Sequence, residues 1–152
     1  LYTYHRRTSP YPAFTTLDAG AREVCMPRRI TTNTPLQAMV LLNDPAYTEA
    51  AQAFARRDLR HQATLPEPDD APIAAWLIEN ALLREPTAEE TRLLAAFIAQ
   101  QRAAFAAEPH RALVYATTPL GPLLEGTDPA EAAALTAAAS IVLNLDEFLT
   151  LN

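Results

Sequence analysis

The stretch from Arg28 to Pro45, RRITTNTPLQAMVLLNDP, constrains the fold more than any other, because it fixes two helix starts within eighteen residues. Thr34 and Gln37 have the spacing of a capping box, with Pro35 at the first helical position. From Pro35 to Leu42 only Gln37 is polar, which predicts a helix buried on every side. Asn43, Asp44 and Pro45 close that helix and open the next, with Asp44 as N-cap and Pro45 at its first position. Arg28, Arg29, Asn33, Asn43 and Asp44 crowd this frame, more polar groups than a buried helix needs. They mark a candidate site without naming its chemistry.

Composition bounds the class. A chain of 152 residues is the size of one domain, and 49% hydrophobic against 20% charged residues makes it globular. Three glycines among abundant alanine and leucine favour helix, so the thirteen prolines must lie at helix starts and in loops. The formal charge of −6 and pI near 5.0 argue against a nucleic-acid surface. No apolar run is long enough to span a membrane. Cys25 is alone, so the chain forms no internal disulfide and no thiolate zinc cluster. The start at Leu1, with neither methionine nor signal-like segment, predicts a piece of a larger protein.

Residues 1–33 read as an extended, proline-rich arm over a helical body spanning 34–152. Tyr2, Tyr4, Tyr11 and Phe14 give the arm aromatic mass, and one helical turn is expected near Ala19 to Cys25. After the first buried helix, a second should run from Pro45 to Arg60, with Tyr47, Ala50, Ala51 and Phe54 on one face and Glu49, Gln52, Arg56 and Arg60 opposite. A third should span Ala71 to Leu83, capped by Asp70, with Ile73, Trp76, Leu77 and Leu83 inward. Thr87 and Glu90 form a second capping box for a long fourth helix, Ala88 to Ala107, with Leu94, Phe97, Ile98 and Phe105 inward. Glu108 to Thr127, with three prolines and two glycines, reads as a long loop. Asp128, Pro129 and Glu131 open a last helix whose centre, Ala132 to Leu143, has only Thr136 and Ser140 as polar breaks. The fold class is therefore all-α: about five helices, two of them buried and central, plus the irregular arm.

Both buried helices end in Asn and Asp. Asn43-Asp44 closes the first, and Asn144, Asp146 and Glu147 follow the last. The plainer reading is that they cap helix ends. The sharper one brings Asn33, Asn43, Asp44, Asn144, Asp146 and Glu147 into an oxygen-rich pocket for a hard cation such as calcium, although the spacing matches no ion-binding loop.

Catalytic signatures are lacking: no Cys-x-x-Cys-His, phosphate-binding glycine loop, His-Glu-x-x-His or Gly-x-Ser-x-Gly. His5, His61 and His110 sit near arginines in predicted loops or helix ends and read as solvated. Cys25, beside Arg22, Arg28 and Arg29, is either an activated thiol or, more simply, a small packed residue. Arg28 and Arg29 either bind an external carboxylate or phosphate, or pair with Asp18, Glu23, Asp44 or Asp146 to hold the arm.

The strings REVCMPRRITTNTPLQAMVLLNDP, LLREPTAEE and TDPAEAAALTAAASIVLNLDEFLT carry a resemblance that runs nearly the whole length. They resemble the C-terminal half of the planctomycete domain-of-unknown-function family, the PSD-type domain found beside or fused to cytochrome-c-like domains. The chain departs from the family in lacking its upstream half and in having Met26-Pro27 before the paired arginines. The resemblance implies a secreted or periplasmic bacterial protein with several domains, and it implies no reaction and no cofactor.

Two functions follow as expectations. One is a non-catalytic helical interaction or assembly module that docks on the upstream domain of the same protein or on a redox partner. The other is the C-terminal part of a hydrolase-like or saccharide-acting enzyme, with Asp44, Asp146 or Glu147 as acid or base.

Overall fold

A computed structural model describes residues 9–19, 32, 34–63 and 69–149. These form eight helices and no strand: α1 (Pro12–Thr16), α2 (Pro35–Asn43), α3 (Pro45–Gln62), α4 (Asp70–Leu82), α5 (Ala88–Ala107), α6 (Pro109–Thr117), α7 (Pro129–Val142) and α8 (Asp146–Leu149). The all-α reading holds, while the expected number of helices was too small.

Local chemistry sets most starts. The Thr34–Gln37 and Thr87–Glu90 capping boxes both form, each with its two reciprocal bonds. Asp44 and Asp128 cap α3 and α7 ahead of a first-turn proline. Asp69, rather than Asp70, caps α4. Two helices open where proline reads equally well as a breaker: α1 inside the stretch taken as extended, and α6 inside the stretch taken as a loop. The helical turn expected at Ala19 to Cys25 lies outside the described residues, apart from Ala19 itself.

The core is assembled around α7. Its Leu135, Ala138, Ala139 and Val142 pack with Ala51 and Ala55 of α3, Ile73, Ala74, Leu77 and Ile78 of α4, and Leu94 and Ile98 of α5. Its first turns, Ala130, Ala132 and Ala133, pack with Phe105 of α5 and Ala112 and Ala116 of α6. Small side chains let neighbouring backbones approach from several directions, and the one buried hydroxyl, Thr136, donates to its own helix at Ala132 O, 2.7 Å away.

The other expected central helix is not central. In α2 only Gln37 and Leu41 are buried, while Leu36 and Met39 are 59% and 61% exposed. The helix touches α1, α3 and, more lightly, α7, so most of its apolar surface has no covering element among the described residues. Leu83 also departs from its expected core place. It ends α4 in the left-handed region, with φ of 55°, and points to solvent.

Gln52 and Arg56, expected on the outer face of α3, instead turn toward α6. Gln52 is fully buried; its Nε2 donates to Tyr115 O (2.7 Å) and Thr118 O (2.6 Å), and its Oε1 accepts from Leu120 N–H (3.0 Å). Arg56 donates to Ala116 O and Gly121 O. Together they clamp the turn after α6, where Gly121 takes a φ of 109° that favours glycine.

Candidate functional site

The described candidate residues sit at two helix junctions, α2–α3 and α7–α8. Arg28, Arg29 and Asn33 lie outside the described residues. Asn43 closes α2, and its Nδ2 donates to Met39 O at 2.8 Å. Asp44 spans two jobs: Oδ1 accepts from Ala46 N–H (2.9 Å) as the α3 cap, and Oδ2 accepts from the Tyr11 hydroxyl (2.6 Å). That donated bond raises the Tyr11 hydroxyl pKa above its ordinary value. Glu147, on α8, holds Arg84 at 2.7 and 2.8 Å, and Arg84 also grips Glu90. Arg84 pulls Glu90 down to about 2, and it lowers Glu147 too. Asn144 and Asp146 lie in and just after the turn that follows α7, with Asn144 N–H bonded to Ile141 O at 3.0 Å. Among the described residues no three His, Cys, Asp or Glu side chains gather as a cation would need.

What ties the N-terminal segment to the body is a network the sequence did not single out. Asp18, at a left-handed φ of 57°, accepts at Oδ2 from Thr32 N–H (2.7 Å), the Thr32 hydroxyl (2.7 Å) and Gln37 Nε2 (3.1 Å). Gln37 Nε2 also donates to Thr32 Oγ1 (2.9 Å), and its Oε1 accepts from Thr34 N–H (2.8 Å). The Thr32 bonds, with help from Gln37, hold the Asp18 carboxyl below its ordinary pKa. So the single polar break in α2 is its anchor. Asp18 and Asp44, two carboxylates the sequence offers to Arg28 or Arg29, accept here from Thr32, Gln37 and Tyr11.

A second polar centre lies under the other end of α3. Asp58 is fully buried; Gln62 Nε2 donates to its Oδ2 at 2.6 Å, and its Oδ1 has no partner. Burial pushes this carboxyl up to about 6, against the opposing pull of Gln62 and His61 and with a further push from Glu131. The sequence signal was available, because Ala51, Ala55, Asp58 and Gln62 recur at spacings of four, three and four, the stripe of one buried face. Nearby, Arg102 of α5 forks between Asp70 of α4 (2.6 and 3.1 Å) and Glu131 of α7, joining three helices. A polar cleft of about 420 Å³ opens here, lined by Gln62, Asp69, Asp70, Ile73, Arg102 and Glu131. Asp58 is not on its wall, and Arg102 is already matched by two carboxylates. This geometry ties the three helices together, with Asp70 and Glu131 matched to Arg102 and Asp69 capping α4 on the cleft wall.

Of the described histidines, neither lines this cleft. His61 stacks on Trp76, ring centroids 5.3 Å apart, and His110 is exposed in the first turn of α6. His5 and Cys25 lie outside the described residues.

Unpaired apolar surface is the remaining asset. Leu36, Met39 and Leu42 project from α2, and Phe148 and Leu149 from α8. Between them lies an apolar hollow of about 260 Å³, walled by Leu41, Tyr47, Ala50, Ser140, Leu143, Phe148 and Leu149.

Residues 1–98 match the family PSD1, described as a protein of unknown function (DUF1553). The chain belongs to this family. No curated protein and no solved structure matches it. The PSD1 match ends at Ile98, inside α5, yet Ile98 and Leu94 are buried against α7. The matched stretch therefore closes its core on residues beyond the match. No helix among the described residues is long and apolar enough to cross a membrane.

Proposed function

We propose that this PSD1 chain is a non-catalytic helical interaction module of a larger secreted bacterial protein. The family setting that the sequence resembles, planctomycete proteins with cytochrome-c-like neighbours, makes an adjoining domain or a redox protein the partner. One observation carries the reading: α2 is fixed by a capping box at its start and by Asp44 at its end, yet it turns Leu36, Met39 and Leu42 outward. Well-anchored apolar surface of this kind serves binding. Further support comes from two of the three carboxylates that the enzymatic alternative offers, since Asp44 serves as a cap and holds Tyr11, and Glu147 is paired with Arg84.

The test is site-specific photo-cross-linking from position 39 in the protein produced by its native host. A discrete protein adduct should form and should vanish in Leu36→Lys, with the thermal midpoint unchanged. Turnover of a glycoside or ester that Asp146→Asn abolishes in a normally folded protein, with no adduct at position 39, would decide for the enzyme.

A further inference from the structure

A second apolar groove lies away from α2, between α4, α5 and the end of α7. Its walls are Ile78, Leu93, Phe97, Ile141 and Leu145, enclosing about 300 Å³. Leu94 and Val142, both buried, form its floor, so the groove opens directly onto the main core. Leu93 is 55% exposed, and Ile141 and Leu145 are 38% exposed. Leu93 and Phe97 sit on the long helix α5 and Ile141 on α7, while Leu145 lies in the turn between α7 and α8.

Its rim is acidic. Glu90 lines the groove itself. Arg84 is shared between Glu90 and Glu147, which leaves that cluster with a net negative charge. Glu79 follows Ile78 in the chain, and Asp146 follows Leu145. Arg92, which precedes Leu93 on α5, is paired with Glu89, no basic residue occurs in α4, α7 or α8, and residues 64–152 hold thirteen Asp and Glu against four Arg. The potential over the groove mouth is therefore negative, and it favours a cationic partner.

We infer that this groove receives an amphipathic helix of a partner protein, with an apolar stripe seated on Leu93, Phe97, Ile141 and Leu145 and Lys or Arg flanking it. Helix-in-groove recognition uses anchors at i, i+3, i+4 and i+7, and Leu93 and Phe97 of α5 themselves stand at i and i+4 on the facing wall. A second copy of this chain is a poor occupant through its exposed helix, because α2 carries no basic residue and ends at Asp44. The inference rests on the interaction reading above but uses a different surface.

The experiment titrates the intact chain with a fluorescent synthetic helix of about eighteen residues, built from Leu, Ala and Lys with leucines at those anchor positions. A matched peptide carries Glu in place of Lys. The Lys peptide should bind at least about tenfold tighter than the Glu peptide, and about tenfold more weakly to Leu93→Lys. Raising salt from about 0.05 to about 0.5 M should weaken it further. Leu36→Lys on α2, the variant expected to abolish the α2 adduct, should leave the peptide affinity unchanged, so loss of the adduct and loss of peptide binding report separately. Equal affinity for both peptides, or indifference to Leu93→Lys, would overturn the inference. So would a dimer of the chain in sedimentation that Leu93→Lys converts to monomer, because the groove would then belong to a second copy.

Discussion

Helices α2 and α7 look alike in sequence and are opposites in the fold. Each follows a capping side chain, carries proline in its first turn and then runs almost wholly apolar. Nine residues of α7 are buried, but only two of α2. Side-chain size separates them. The alanines of α7 let α3, α4, α5 and α6 close on it together. The Leu and Met of α2 would need large complementary holes, and the one polar residue before its last position, Gln37, is what docks it. An apolar pattern says that a helix needs cover; it does not say that its own domain supplies it.

The largest test of this contrast is in α7. Val142→Asp would bury a charge with no partner at a site 1% exposed, next to Leu94 and Ile78. The cost of several kcal/mol is a large part of a total of about 5–15, so the variant should lack a cooperative unfolding transition in urea. A folded variant with a wild-type midpoint would mean that α7 is not the centre.

The next effect concerns the one charge beneath that apolar layer. Burial raises the Asp58 carboxyl from 3.8 to about 6, so the folded state holds a proton there that the unfolded state releases at lower pH. Between pH of about 4 and 6 the folded state binds more protons, and stability falls as pH rises through this window. The fall amounts to roughly 1–3 kcal/mol by pH 7. Glu90, held down at about 2 by Arg84, acts with the opposite sign and at lower pH. Asp58→Asn should therefore flatten the stability profile between pH 4 and 7 while leaving the loss at pH 2 to 4 in place. A profile unchanged by the substitution would show that Asp58 titrates normally.

Sequence legibility followed the range of the forces. The starts at Thr34, Asp44, Thr87 and Asp128 were readable because a cap and its first turn lie within three residues. The start of α6 was not, since Pro109 serves equally as helix opener and helix breaker, and its buried Ala112 and Ala116 were too few to outweigh two further prolines and two glycines. Leu83 was read as core by continuing the period of α4 one residue past its left-handed end. Among the candidate residues, helix ends explained Asn43 and Asp44, as the plainer reading had it. The partnership of Glu147 with Arg84, 63 positions away, and the bonds of Gln52 to the turn after α6 depend on elements distant in sequence, which no local pattern encodes, whereas the buried stripe that holds Asp58 was there to be read.

Cap removal sharpens the comparison at lower amplitude. Asp128→Ala and Thr34→Ala each delete a bond to a first-turn amide, at 3.1 and 3.3 Å, worth about 0.5–2 kcal/mol. For α7 the loss should appear in the global midpoint, because α7 cannot open without the core. For α2 it should appear chiefly as faster amide exchange over 37–43, since a helix with two buried residues can open alone. Equal shifts in both readouts would make α2 part of the global unit.

The smallest expected effect is the most telling one. Met39→Asp places in α2 the same charge that Val142→Asp places in α7, on a side chain 61% exposed. The carboxylate would stay hydrated, so no burial cost arises, and the change in stability should be within about 0.5 kcal/mol. Aspartate has lower helix propensity than methionine, but the capping box and the Gln37 network hold the helix at its start, and Asp44 closes its end. The urea midpoint should therefore match wild type while α2-dependent association is lost. If Met39→Asp were instead to unfold the chain, the outward face of α2 would be part of this domain's own core, and the contrast between the two helices would collapse.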